Sequence, residues 1–325
     1  MQTLKNASAT APTDRAPVRV ISAKRELTWI SPPDREVFKL EQDATLPLIV
    51  FEFNAPGEGP FTWSWSIEWE AKASGLRERA RQGQVLRRFS QSGTFQSSSK
   101  RWIVDFGGEV LGGLLTVTVQ TGNESLARTV MIQGQNPSPE QVATYIETLE
   151  DLTGFAALLE QETRTQHFIN LDGEPVVAFD QGYGITQLTH PAPSYEQAWN
   201  WKANIQGGSA VYQEKARAAR RYLSQAGRTY TDEQLLRETL SRWNGGAYHQ
   251  WDAAASAWVR KPQILCDTLT GNIGWDTRNE ENSDKTESQL RERDKDTYGQ
   301  GRQGQSAEHP WAYSGVCYAD HLLDD

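Results

Sequence analysis

Apolar and polar residues alternate through the first part of the chain. In FTWSWSIEW (61–69) every odd position is aromatic or apolar and every even one polar, which is the period of a strand with one buried face. Six further apolar runs follow the same reading: VRVI (18–21), LTWI (27–30), LPLIVFEF (46–53), WIVDF (102–106), LLTVTV (114–119) and ARTVMI (127–132). The last is entered through the turn residues Gly122-Asn123. Seven short strands over this span predict an antiparallel β-sandwich, immunoglobulin-like, covering residues 18–136. Trp63, Trp65 and Trp69 share one parity of the alternating strand, so they read either as one face of the sandwich core or as the carbohydrate platform of an accessory binding domain.

The period changes at Asn136-Pro137-Ser138-Pro139. Ser138 suits an N-cap, Pro139 the first helical position, and Gln141 completes a capping box. Val142, Tyr145, Ile146 and Leu149 then form a helical stripe. Further helices are predicted over 195–201, 203–223, 231–240 and 312–323, so that residues 137–325 read as a mainly α-helical domain. Within it, residues 276–309 are charged, rich in Gly and Gln, and almost free of apolar residues, the composition of a flexible insertion that covers a groove as a lid. Residues 1–17 read as a disordered leader.

One helix breaks its own pattern. Phe155, Leu158 and Leu159 share a face, and the next inward position is Glu162, whereas Glu160 faces away. A carboxyl on an apolar stripe is costly to ionise, so its pKa rises. Some twenty residues later comes Gly182-Tyr183-Gly184-Ile185-Thr186-Gln187, where glycines allow close backbone approach and Gln187 offers both donor and acceptor. A protonatable Glu facing a Gly-rich polar wall suits general acid chemistry at a glycosidic bond.

Four motifs in order carry a resemblance: Glu162-Thr163; Gly182 to Gln187; Asn204-Ile205 with Gly207-Gly208 and Tyr212; and Arg242-Trp243-Asn244-Gly245-Gly246. They resemble the Glu-Ser, G-x-G-L-M-Q, N-I-x-x-G-x-x-Y-L and R-Y-N-G-G motifs of the lysozyme-like superfamily, in its soluble lytic transglycosylase and goose-type lysozyme branch. Thr163 stands for Ser, Ile185-Thr186 for Leu-Met and Trp243 for Tyr, and the Glu is kept. The resemblance spans residues 150–325. It implies a lysozyme-like domain that cleaves the β-1,4 bond between N-acetylmuramic acid and N-acetylglucosamine in peptidoglycan, with Glu162 as general acid and then general base, and without cofactor or metal. Goose-type lysozymes position water with aspartates, and Asp180 falls near such a place; it reads equally as a turn residue capping its own loop. Lytic transglycosylases use one Glu and release an anhydro-sugar. A third reading is an inactive peptidoglycan-binding adaptor. Tyr183, Gln187, Asn204 and Asn244 line the groove by the same resemblance, joined by Trp243 and Tyr248, which flank the Asn-Gly-Gly turn and offer rings for sugar faces.

Charge and composition narrow the partners. The net charge is −9, and residues 138–325 carry 17 Lys+Arg against 28 Asp+Glu. Such an acidic half argues against nucleic acid, whose binding needs cations to displace counterions. No apolar run is long enough for a membrane helix. Cys266 and Cys317, the two cysteines, form one disulfide in an oxidising compartment or stay buried thiols. The N-terminus has no apolar h-region, so no standard secretory signal is expected. A wall-cleaving enzyme then reaches the periplasm of a target cell by a dedicated route. One is a secretion system, with a secretion component and a cognate immunity protein as partners; the other is phage lysis.

Overall fold

The computed structural model describes residues 27–74, 84–169 and 172–324. The leader and the 18–21 run lie outside them. Among the described residues the first half holds eight strands: β1 (Thr28–Ser31), β2 (Val37–Lys39), β3 (Val50–Asn54), β4 (Phe61–Lys72), β5 (Val85–Ser97), β6 (Arg101–Ile103), β7 (Gly113–Thr121) and β8 (Glu124–Gln133). They form a five-stranded sheet, β2-β8-β7-β4-β5, and a three-stranded one, β1-β3-β6. The alternation in β4 does what its period requires: Phe61, Trp63, Ile67 and Trp69 are buried. The sheets face one another through these rings, with Phe53 of β3 at 5.0 Å from Phe61 and 5.3 Å from Trp63. The tryptophans of β4 are therefore core, and the carbohydrate-platform reading fails because Trp63 and Trp69 expose no face to a sugar.

The second half carries α1 (Pro139–Glu147), α2 (Phe155–Thr163), α3 (Tyr195–Trp199), α4 (Trp201–Leu223) and α5 (Asp232–Trp243). The Ser138 capping box forms as its sequence requires, with Gln141 N–H donating to Ser138 Oγ and Ser138 N–H to Gln141 Oε1. After α5 the chain returns to strands: β9 (His249–Asp252), β10 (Ala257–Arg260), β11 (Ile264–Cys266) and β12 (Ile273–Asp276). Then come α6 (Glu287–Asp294), a tight 3-10 segment, β13 (Trp311–Tyr313) and α7 (Gly315–Asp324). Among the described residues no helix is long and apolar enough to cross a membrane.

The expected fold class, an antiparallel immunoglobulin-like sandwich followed by a mainly α-helical lysozyme-like domain, does not hold. The chain is a multi-sheet mixed α/β structure with 31% helix and 30% strand. In the first half β2 pairs with β8 in parallel. In the second, β9–β10 and β11-β12-β13 form two further sheets. The stretch expected as a flexible insertion, 276–309, holds α6 and the 3-10 segment, packed on a small core of Ile273, Trp275, Leu290 and Trp311. One of its charges turns inward: buried Asp294 accepts from the indole N–H of Trp275 at 2.7 Å and from the Arg293 guanidinium at 2.7 Å.

The two halves share a core. Phe168, Val177, Tyr183, Tyr195 and Trp199 lie against the five-stranded sheet, in the same cluster as Trp69 and Phe89. Trp199 meets Trp69 edge-on at 5.4 Å, and Tyr195 Oη donates to Gly112 O at 2.7 Å. Gly112 and Gly134 admit this contact because a Cβ there would stand 2.0 Å from the Trp199 ring and 2.1 Å from the Phe168 ring. A second core joins α1, α2, α4, α5 and α7 through Phe155, Leu158, Leu159, Ile205, Tyr212 and Leu240.

Candidate active site

Phe155, Leu158 and Leu159 are fully buried, so α2 is held with Glu162 pointing inward and Glu160 out, as the helical period predicts. Helix α2 ends one residue later, where Arg164 and Thr165 turn left-handed at φ 54° and 55°. Glu162 is half-buried and accepts two hydrogen bonds on one oxygen: Tyr318 Oη–H to Oε1 at 2.6 Å and Trp243 Nε1–H to Oε1 at 3.2 Å. Burial pushes its pKa above the ordinary carboxylate value; the Tyr318 and Trp243 donors oppose this, and the charge of Asp180 adds to it.

The Gly-rich turn faces α2 and is locked from three sides. Thr163 Oγ1 donates to Ile185 O at 2.9 Å, tying the helix to the turn. His167 is fully buried, and burial drives its pKa down to about 3 against the Ala198 carbonyl bond that favours the charged ring, so the ring is neutral. The Ile185 N–H donates to His167 Nδ1 at 3.1 Å; the ring proton is therefore on Nε2, which donates to Ala198 O at 2.9 Å. Gly184 has φ 67°, and a Cβ there would lie 2.3 Å from His167 Cε1, so glycine is required twice over. Asn204, fully buried on α4, donates through Nδ2 to Tyr183 O and Gln197 O and accepts on Oδ1 from Thr186 N–H and Thr186 Oγ1–H.

These placements sort the residues expected at the site. Glu162 and Trp243 come together, and Asp180 lies close enough for its charge to act on Glu162. Asp180 is exposed and caps its own loop, accepting from Gly182 N–H at 3.3 Å. Asn244 is the half-buried C-cap of α5, next to Trp243. Tyr183 is not a groove residue: its ring is 1% exposed, edge-on to Trp69 and Phe89 in the shared core. Asn204 is a brace, with both donors and its acceptor engaged by backbone and Thr186. Gln187 folds back on its own turn, donating to Gly184 O at 2.8 Å. Tyr248 is buried and turned to another cluster, donating to Asp320 Oδ1 at 2.5 Å. Asp320 and Tyr318 are two residues apart in α7 and so point to opposite sides of it, which puts Tyr248 across the helix from Glu162.

Tyr318 is the residue at this candidate site that sequence reasoning missed. It lies 156 positions from Glu162 in a short helix of ordinary pattern, and no local signal marks it. Glu238 was missed as well, and it contrasts with Glu162. It is fully buried; burial works against its ionisation, but the His249 ring and backbone N–H and the Arg242 guanidinium outweigh it and hold its pKa below the ordinary value. It anchors the turn after α5 by accepting from Tyr248 N–H at 3.0 Å. Of these two glutamates, the one with raised pKa is half-buried and the one with lowered pKa is fully buried. Comparison of the chain with family models, with curated proteins and with solved structures finds no match.

Proposed function

We propose that this chain is a glycoside hydrolase that cleaves the glycan strand of peptidoglycan at the β-1,4 bond between N-acetylmuramic acid and N-acetylglucosamine. The observation that carries the reading is the half-buried Glu162 side chain, raised in pKa and, among the described residues, hydrogen-bonded by side chains on one carboxyl oxygen alone. Both donors fall on Oε1, which leaves Oε2 to carry the proton and meet the glycosidic oxygen. Proton transfer generates a carboxylate that Tyr318 and Trp243 stabilise in place, and that carboxylate then serves as base toward water. Asp180 supplies the second negative charge, toward the developing oxocarbenium ion or the attacking water. The ordered motifs noted in the sequence support the same substrate class.

The test is digestion of isolated peptidoglycan sacculi with the purified protein, with the released muropeptides weighed. Products with a free reducing end support the hydrolase. Products lighter by one water identify a lytic transglycosylase and remove Asp180 from the chemistry. Binding to sacculi without release identifies an adaptor and overturns the enzymatic reading.

A further inference from the structure

On the far side of α7 from Glu162, Cys266 at the end of β11 is bonded to Cys317 in the first turn of α7, 51 positions away. Both cysteines line a cavity of about 500 Å³, with Arg237, Arg260, Asp320 and His321 around them. Cys317 is buried, but Cys266 is half-exposed. The Arg260 guanidinium stands 3.1 Å from Cys266 Sγ. It also bonds Asp320 at 2.8 Å, and that carboxylate, 3.9 Å from the same sulfur, is further neutralised by Arg237 at 3.4 Å. A cavity that reaches the disulfide, a half-buried cysteine on its wall and an adjacent cation favour thiol–disulfide exchange.

We propose that the Cys266–Cys317 bond is a reducible site, and that a dithiol reductant entering this cavity switches the candidate active site off by freeing the first turns of α7. The consequence for activity rests on the function proposed above; the exchange itself does not. In the first step a thiolate of the reductant attacks Cys266 Sγ. The S–S electron pair leaves on Cys317, which takes up a proton. The second thiol of the reductant then displaces Cys266 as a thiolate beside Arg260. The second thiol gives its proton to solvent as it attacks, the reductant ends as its own disulfide, and two electrons and one proton have moved to the protein, on Cys317 as thiol and Cys266 as thiolate.

The coupling to Glu162 is short. Cys317 precedes Tyr318 in the chain, and its sulfur fits against β12, where a Cβ on Gly274 would stand 2.7 Å from it. Gly315, at the start of α7, is pressed on Ser241, with room for no side chain: a Cβ would lie 2.3 Å from Ser241 O. This part of the helix is thus fixed by close fit and by one covalent tie, and the same part places Tyr318 Oη on Glu162. Without the tie, the Tyr318 hydroxyl leaves the carboxylate.

The experiment compares the oxidised protein with the same protein treated with dithiothreitol at neutral pH without denaturant. Free thiols, far-UV circular dichroism, release from sacculi, and the titration of the Glu162 carboxyl by carbon NMR are measured. The expected result is two free thiols with secondary structure intact, release lowered about tenfold or more, and a Glu162 midpoint shifted upward. Tyr318→Phe in the oxidised state should reproduce that shift, and its reduction should add none. Arg260→Gln should slow the reduction about tenfold. If the oxidised protein releases nothing while its Glu162 midpoint still responds to reduction, the coupling stands and the proposed function falls. A bond that resists dithiothreitol in the folded protein, an unchanged midpoint and release after reduction, or loss of the circular dichroism signal would each overturn the switch.

Discussion

Glu162 sits where α2 runs out, in the last helical turn and against the Tyr318 and Trp243 donors. That position has a stability consequence as well as a chemical one. A carboxyl whose folded pKa is raised contributes fully below its unfolded value, and the contribution is lost as pH rises through the folded value. Glu162→Gln should therefore melt higher than wild type at pH 7. The gap should narrow below pH 7 and close under the ordinary carboxylate range, read from thermal melts across pH. A variant that melts lower than wild type at pH 7 would contradict the raised pKa. Tyr318→Phe removes a donor to the charged form, so Glu162 should titrate still higher and the turnover number should fall about tenfold, by loss of one charge-assisted hydrogen bond. An unchanged pH–rate profile in this variant would remove Tyr318 from the site. The inward phase of Glu162 was legible from Phe155, Leu158 and Leu159 alone, because helical period is local. Tyr318 was not, because the contact spans 156 positions and only tertiary folding creates it.

At the scale of elements, the Gly-rich turn is a scaffold more than a surface. Asn204→Ala would leave Thr186 N–H and the Tyr183 and Gln197 carbonyls without their partner, at a cost of about 3 kcal/mol by equilibrium urea unfolding. The folded fraction should keep its substrate KM. A variant of normal stability and raised KM would restore Asn204 to the groove. The disulfide closes a separation of 51 residues, which in the chain-entropy account stabilises the fold by about 4 kcal/mol. The alternation of β4 and the cap of α1 could be read directly, since each is set by neighbours in sequence. Strand β5 could not: VLRRFSQSGTFQS is polar because it forms the edge of its sheet, and its register comes from β4. Strands β9 to β13 are three or four residues each, too short for a period to show, and the sheets they build changed the fold class. Tyr183 was misplaced for a related reason. Its motif position says nothing of the Trp69 and Phe89 rings that a different part of the chain brings to it.

Across the whole molecule, the β half positions the turn that faces Glu162. The shared core of Trp69, Phe89, Tyr183, Tyr195 and Trp199 makes the two halves energetically one unit. Trp199→Ala should destabilise by about 3–5 kcal/mol and lower activity, although Trp199 does not touch Glu162. Calorimetry should show wild type unfolding in a single transition; two separated transitions would contradict the shared core. The role of Glu162 as the acid is tested by the rate of muropeptide release from sacculi by wild type and Glu162→Gln, measured side by side across pH. Release by wild type should decline as pH rises through the raised Glu162 value, and the variant should lose about a hundredfold or more at every pH. Equal release by the two proteins would contradict it.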